Sequence, residues 1–306
     1  MNQIKTILVG VDFSDGSRAA LQQALRVANQ NRASLHIMHV IDSQALDDLA
    51  AASHEPLAAQ REKALELGRR ELVRWLEPFD LPENCRTEVT VGAPLDALLE
   101  RAGQLNTNLI AAGAQGGNAV SPQAGSLAVR LLREAPVKVL LVDTAHTEPF
   151  RTIVCCVDFT RSAREAVDQA KRLAALGTGR VDFLHVYDPP WYQLRQVCPA
   201  LSANQDLQQQ YLNTLDRQLK DFVGDLDSST ARCVLHEATR HRCGIAAYAQ
   251  ANSADLIVLG IRRPTSPHDE RADSTAERLV RELPCSVLGV KPPLESEATG
   301  REMSRT

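Results

Sequence analysis

The chain has 306 residues, 44% hydrophobic and 24% charged, and its 38 acidic against 34 basic side chains give a formal net charge of −4. At about 150 residues per domain the length predicts two globular domains, and the acidic balance argues against non-specific binding to nucleic acid or to an anionic membrane. No apolar run approaches the roughly 18 residues of a membrane helix, no signal-peptide pattern precedes the first apolar segment, and seven cysteines, six of them after residue 150, predict no disulfide framework and a reducing cytoplasm.

Short apolar runs alternate with helical patterns. Ile7–Asp12 reads as a buried strand. Ser17–Asn31 carries Ala20, Leu21, Ala24, Leu25 and Ala28 at the spacing of an amphipathic helix. Leu35–Val40 is a second strand, and Pro56–Glu77 a long helix with Leu57, Ala64, Leu65, Leu72 and Leu76 on one side and charges on the other. Arg86–Val91 is a strand, Leu95–Gln104 a helix, Leu109–Gly113 a strand, Leu127–Glu134 a helix and Val137–Val142 a strand.

The whole order then repeats. Ile7-Leu-Val-Gly-Val-Asp-Phe-Ser14 returns as Ile153-Val-Cys-Cys-Val-Asp-Phe-Thr160, an offset of 146, and Leu35–Val40 returns as Val181–Val186 at the same offset. Asn108–Gly113 returns as Asp255–Gly260 at an offset of 147. Glu134-Ala135-Pro136 returns before Val287, with the prolines 148 apart. Landmarks in one order at near-constant offset mark a tandem duplication. The expected domains are 1–146 and 150–293, joined near Thr144–Phe150 and followed by a polar tail at 294–306. Strand–helix alternation predicts two α/β domains of Rossmann or flavodoxin type, each with a mostly parallel five-stranded sheet flanked by helices. Ligands of such sheets bind beyond the carboxyl ends of the strands, where strand order reverses.

Those ends carry the candidate chemistry. The first strand ends in Asp12-Phe13-Ser14 and the second in His39-Val40-Ile41-Asp42. The fourth ends in Gly113-Ala114-Gln115-Gly116-Gly117, which runs on to Gly125-Ser126 at a helix start. Glycines let backbone N–H groups converge on a ligand, and a helix N-terminus adds unpaired donors; together they suit a phosphate. A plain turn is the competing reading of the glycines, and Asp12 also reads as an N-cap.

On Val11-Asp12-Phe13-Ser14, His39–Asp42, the glycine loop and the Ala135-Pro136-Val137 strand entry, both halves resemble the universal stress protein family in tandem. Its nucleotide-binding members carry Gly, two residues, Gly, nine residues, then Gly-Ser/Thr; here Gly113 and Gly116 fit, and Gly125-Ser126 follow after eight residues. The resemblance implies that Asp12 and Val40 contact adenine and ribose, and that Gly113, Gly116, Gly125, Ser126 and the Leu127 backbone hold phosphates of ATP or another adenine nucleotide, with any Mg²⁺ carried by the nucleotide. It implies further that Val137–Val142 and Ser286–Lys291 pair across the halves as in a dimer, making the chain a pseudo-dimer; a homodimer of chains and a regulatory protein partner are further expectations.

The second half keeps Asp158, Val186 and Gly260 but has Arg263 and Asp273 at the later glycine positions. Ser274 and Glu277 form a capping-box pattern that would satisfy the phosphate-binding donors internally, so this half is expected to have lost or changed its ligand. Val129 stands where Glu277 would, leaving the first half open. Cys233, His236, His241 and Cys243 do not match metal-finger spacing, and Cys233 and His236 have opposite parity on a strand. Cys155 and Cys156 read as core, and His39 and His185 as structural histidines. Tyr187–Ser202, with Pro189-Pro190-Trp191-Tyr192, reads as an aromatic loop over the crevice: a partner surface or a self-packed lid. No nucleophile elbow or Walker loop is present. The leading expectation is therefore a cytoplasmic stress-response regulator binding nucleotide in its first domain, not an enzyme. The alternatives are a nucleotide-free module for a protein or small apolar ligand, and a slow ATP hydrolase.

Overall fold

The computed structural model describes residues 4–53, 56–115, 125–175, 179–262, 280 and 285–292. The chain divides into two compact units, Met1–Pro149 with Val280–Leu288, and Phe150–Leu279 with Gly289–Thr306.

In the first unit the elements run β1 (Thr6–Val11), α1 (Asp15–Asn31), β2 (Ser34–Asp42), α2 (Ser43–Ser53), α3 (Leu57–Leu76), β3 (Cys85–Gly92), α4 (Pro94–Gln104), β4 (Leu109–Gly113), α5 (Ser126–Glu134) and β5 (Lys138–Val142). The strands lie in the order β3-β2-β1-β4-β5, and all four neighbouring pairs are parallel. The chain grows one way from β1 and then returns to its other side at β4, so the reversal of order falls between β1 and β4. Buried on both faces, β1, β4 and β5 read as unbroken apolar runs: Ile7, Leu8, Val9, Ile110 and Leu141 are fully buried, whereas the outer strand β3 buries only Val89. Helix α1 lays its small-residue face, Ala19, Ala20, Leu21 and Ala24, against them.

The second repeat runs β6 (Thr152–Cys156), α6 (Arg161–Ala175), β7 (Arg180–Tyr187), α7 (Pro190–Val197), α8 (Pro199–Ser202), α9 (Gln205–Val223), β8 (Ala231–Glu237), α10 (His241–Ala251), β9 (Leu256–Gly260) and β10 (Ser286–Val290). Its order is β10-β9-β6-β7-β8, parallel where β6 meets β7 and β9 and where β7 meets β8. Ile153, Val154, Cys155, Phe183 and Ile257 form the buried centre. The core reading of Cys155 holds; Cys156, by contrast, is half-exposed.

Two elements differ from the sequence reading. Helix α2 has no counterpart in it: Asp42 accepts the Gln44 N–H at its start, but among its described side chains Leu46 alone is buried, so no apolar face announces a helix. The aromatic segment after β7 is helical, not a loop. Pro190 at the first helical position presets φ and lacks a donor the helix would leave unused. Trp191 meets Tyr211 edge-on at 5.8 Å and the Tyr192 hydroxyl donates to Glu237, so the segment packs on its own unit. The polar tail lies outside the described residues. Among the described residues no helix is long and apolar enough to cross a membrane.

Candidate functional site

The turn after β1 shapes the first crevice. Ser14 caps α1 by accepting the Ser17 N–H at 3.1 Å. Asp12 is thus not the cap, as its position had suggested, but the buttress behind it. Its Oδ1 accepts from the Ser14 N–H at 3.1 Å and from the hydroxyls of Ser14 and Ser17, while its own N–H donates to Ser17 Oγ at 2.9 Å. Phe13, between them, has φ of +65°, a left-handed conformation that costs a non-glycine residue roughly 1–2 kcal/mol. The ring stack offsets that cost. Phe13 lies 4.3 Å from the His39 ring and 6.1 Å from Trp75. His39 Nδ1 lies 2.8 Å from the Val11 carbonyl, which makes Nδ1 the protonated nitrogen. The structural reading of His39 therefore stands, and the same hydrogen bond recurs between His185 and Val157.

Asp12, Val40, Gly113, Gly125, Ser126 and Leu127 all line one cavity of about 440 Å³. Gly116 lies outside the described residues. The cavity sits at the strand-order reversal, walled by Met38, Pro94, Leu98 and Leu131, with Asp42 as its second carboxylate. Sequence reasoning missed these walls; their signal is the periodicity of α4 and α5, whose inward faces are Leu95, Leu98, Ala128 and Leu131. Register explains Val40: β1 pairs with β2 only as far as His39, whereas β2 pairs with β3 as far as Asp42, so the β1 side of Val40–Asp42 carries no strand. The glycine loop is pinned at its ends, Ala114 N–H donating to Val142 O at 2.9 Å and Gly125 N–H to Ala114 O at 2.8 Å. Helix α5 then starts with no side-chain cap, and its first-turn N–H groups have no intrahelical acceptors.

Gly113 has a packing role as well. A Cβ there would stand 2.8 Å from the Gly16 carbonyl carbon and 3.1 Å from Gln115 O. The start of α1 presses on the end of β4 so closely that glycine is needed whether or not a ligand binds. Gly260 repeats this more tightly, a Cβ there falling 2.4 Å from the Ser162 carbonyl carbon.

The second unit has a crevice in the same place, a cavity of about 280 Å³ lined by Asp158, His185, Val186 and Gly260 among others. Asp158 Oδ1 accepts from the N–H and hydroxyl of Thr160, and Phe159 repeats the positive φ at +61°. Among the lining positions, Cys156, Leu184, His241, Ile245 and Leu259 stand in place of Gly10, Met38, Pro94, Leu98 and Ala112. Burial pushes the His185 pKa down, helped by the nearby His241 charge and opposed by its bond to Val157 and by Asp158. Arg263, Asp273, Ser274 and Glu277 lie outside the described residues. Cys233 and His236 stand on β8, and His241 and Cys243 on α10; His236 packs against Tyr248 at 5.6 Å. Among the described residues no three or more His, Cys, Asp or Glu side chains are grouped to hold a metal ion.

The sequence profile of the universal stress protein family matches twice, over residues 3–143 and 149–291. The chain belongs to the universal stress protein family. Among relatives, an assigned universal stress protein of Staphylococcus haemolyticus is 30% identical over 163 residues, covering 51% of this chain and 96% of the relative. A counterpart in Staphylococcus aureus is 31% identical over 144 residues, covering 46% of this chain and 84% of its own. The crystal structure of a universal stress protein from Archaeoglobus fulgidus superposes with a TM-score of 0.62 at 17% identity, over 94% of this chain and 99% of that one. This last likeness establishes a shared fold: a mixed α/β protein with a mostly parallel sheet between helices.

Proposed function

We propose that this universal stress protein binds an adenine nucleotide, ATP foremost, in its first domain (1–146), and acts as a cytoplasmic stress-response regulator. The observation that carries the reading is the convergence of Asp12, Val40, Gly113, Gly125, Ser126 and Leu127 on one cavity at the strand-order reversal. In this reading the unpaired β2 edge at Val40 and the apolar Met38, Pro94 and Leu98 take the base. Asp12, held rigid by two serine hydroxyls, takes a ribose hydroxyl. The N-terminal turn of α5 and the Ser126 hydroxyl take the phosphates.

Electrostatics adds a requirement. The described walls carry Asp12 and Asp42 but no lysine or arginine, and residues 113–126 contain neither. A Mg²⁺ ion arriving with the nucleotide would supply the missing positive charge. Ligand binding biases the seating of α5 against α4 and β5, and a regulatory protein or a second copy of the chain reads that surface. The second domain (150–293), whose crevice carries Cys156 and Leu259 where the first has Gly10 and Ala112, has another role.

Protein purified without added nucleotide and then denatured should release about one adenine nucleotide per chain, a count mass spectrometry supplies. Titration calorimetry with ATP and Mg²⁺ should give one site per chain, and Asp12→Ala should weaken it by about tenfold or more, the worth of a hydrogen bond to a charged group. Two nucleotides per chain, or affinity indifferent to Asp12, would reject the reading.

A further inference from the structure

The two units fill one place in the fold with opposite charge. In the second, Asp182 on β7 is fully buried and holds Arg232 of β8 through two hydrogen bonds, at 2.8 and 3.0 Å, while the Tyr248 hydroxyl of α10 donates to the same carboxylate at 2.8 Å. Repeat offset and strand register put His36, Arg86 and Arg101 at these three positions in the first unit. The arginine is kept, the carboxylate has become an imidazole, and the phenol a second guanidinium. Arg101 is partly satisfied: its Nη2 lies 2.7 Å from Glu88 and its Nη1 donates to Gln104 at 3.0 Å, but its Nε is buried without an acceptor. Arg86 is exposed on the outermost strand β3, and among the described residues neither a hydrogen bond nor an ion pair holds it. The charged groups that act on the half-exposed His36 are Arg86 and Glu88 of β3 and Arg101 of α4. Burial and the two arginines lower its pKa from the ordinary 6.5, against Glu88. In a chain of net charge −4, three elements thus gather positive charge around an arginine fork that nothing occupies.

We propose that this face of the first unit docks an acidic segment of a partner protein, one carboxylate of which pairs with Arg86 and takes the part that Asp182 plays within the second unit. A planar carboxylate matches the guanidinium fork. The openness of the face selects the partner. Arg86 is exposed and the Arg101 side chain is 32% exposed, and one exposed ion pair is worth at most about fivefold in affinity. A free acid with a single carboxylate gains too little there, whereas a peptide adds further contacts along the strand. His36 makes the docking sensitive to pH. The incoming carboxylate offsets the arginine charges that disfavour the imidazolium, so protonation of His36 and docking favour each other. His36 lies toward the amino end of β2, whereas the crevice lies at the carboxyl ends of the strands. The site therefore stands apart from the nucleotide reading.

The test uses the full-length chain and a dye-labelled peptide of alternating glutamate and glycine, with binding followed by fluorescence anisotropy. Arg86→Gln should weaken binding about fivefold; Arg86 holds no other described group, so the variant keeps the fold. In the unaltered chain binding should tighten about threefold to tenfold from pH 8 to pH 5.5, and His36→Gln should abolish that dependence. By nuclear magnetic resonance the His36 ring should titrate at higher pH with the peptide than without it. Glutarate at equal carboxylate concentration should compete about tenfold less well than unlabelled peptide. Binding indifferent to Arg86→Gln, or a His36 titration that the peptide leaves in place, overturns the site. Equal competition by glutarate overturns the partner segment in favour of a free acid, and tighter binding of the same peptide with phosphoserine for glutamate overturns the carboxylate.

Discussion

Two repeats of one fold solve the same local problem with different polar chemistry, most visibly at the outer strands. In the first unit His36 on β2 lies in register with Arg86 on β3, and Arg101 of α4 reaches Glu88 at 2.7 Å. Burial lowers the His36 pKa, and the Arg101 and Arg86 charges lower it further against Glu88. In the second unit the equivalents are Asp182, Arg232 and Tyr248. Asp182 is fully buried; it accepts from Arg232 at 2.8 and 3.0 Å and from the Tyr248 hydroxyl at 2.8 Å. One arginine position is shared, but its partner is an imidazole in one copy and a carboxylate in the other. The backbone register is the inherited feature, and the side chains on it diverged. By contrast the β1 and β6 turns share their frame, Phe13 with Phe159, His39 with His185, Asp12 with Asp158, although Ala163 replaces Ser17 and its hydroxyl. A turn that holds a bulky residue at positive φ tolerates few alternatives.

The tightest shared feature should give the largest effect. Gly113→Ala drives a methyl group into the backbone at the start of α1 and Gly260→Ala into that of α6, and neither contact can relax by rotating a side chain. Both should destabilise by about 3 kcal/mol or more, Gly260→Ala further because its contacts fall at 2.4–2.6 Å. Urea unfolding followed by circular dichroism checks this. Loss of nucleotide binding in Gly113→Ala therefore says little about phosphate contacts; if that variant folds with unchanged stability, the packing account of these glycines fails.

The outer-strand contrast predicts the next effect. Asp182→Asn leaves Arg232 without its counter-charge and should cost about 2 kcal/mol at neutral pH. That is low for a buried pair because Arg232 is 52% exposed. Burial pushes the Asp182 carboxyl pKa up, but hydrogen bonds from Arg232 and Tyr248 and the charges of Arg232 and Arg180 pull it further down, below its ordinary value. Its contribution is then fully present above that ordinary value and is lost as pH falls through the lower, folded one. The stability difference between Asp182→Asn and the parent should accordingly shrink in acid. A difference constant down to pH 2 would mean the ion pair is not its source.

At the crevices the contrast is functional. Asp12→Ala should weaken nucleotide binding by about tenfold or more, as above, and Asp158→Ala should leave it unchanged, although both carboxylates hold equivalent turns. Equal losses in calorimetric titration would erase the distinction between the domains. Adding Cys156→Gly enlarges the second cavity toward the first; nucleotide binding gained there would mean that the thiol alone closed the site.

Much of this arrangement was legible in the sequence, because strands buried on both faces leave continuous apolar runs, and a duplication offers each twice. Asp12, Val40, Gly113 and Gly125 could be placed on one crevice because parallel α/β topology fixes which strand ends meet. What escaped was information not carried by local pattern. Helix α2 buries one leucine and leaves no periodic stripe. The need for Gly113 arises from Gly16, ninety-seven positions away. Capping by Ser14 rather than Asp12 depends on the φ of Phe13, which no propensity for phenylalanine would suggest.

The smallest contrast lies in how each turn is covered. Arg18, in the first turn of α1, lies over Trp75 at 5.3 Å and Phe79 at 5.7 Å. Its equivalent Arg164, in the first turn of α6, lies 3.9 Å over Phe222 and donates to that residue's carbonyl. Each stack continues to the strained phenylalanine, through Trp75 to Phe13 and through Phe222 to Phe159. Arg18→Ala and Arg164→Ala should each cost about 1 kcal/mol, the scale of a cation–π contact, and Arg164→Ala should cost more because its contact is closer and hydrogen-bonded. Lysine should rescue Arg18 better than Arg164, since a point charge can sit over a ring but cannot reproduce a planar group that also reaches a carbonyl. The readout that separates coverage from simple stability is nucleotide affinity at a temperature where both variants are fully folded. If the stack holds Phe13, and through it Asp12, then Arg18→Ala weakens binding and Arg164→Ala does not. Unchanged affinity in both would mean that the His39 hydrogen bond and the serine hydroxyls hold the turn without help from the stack.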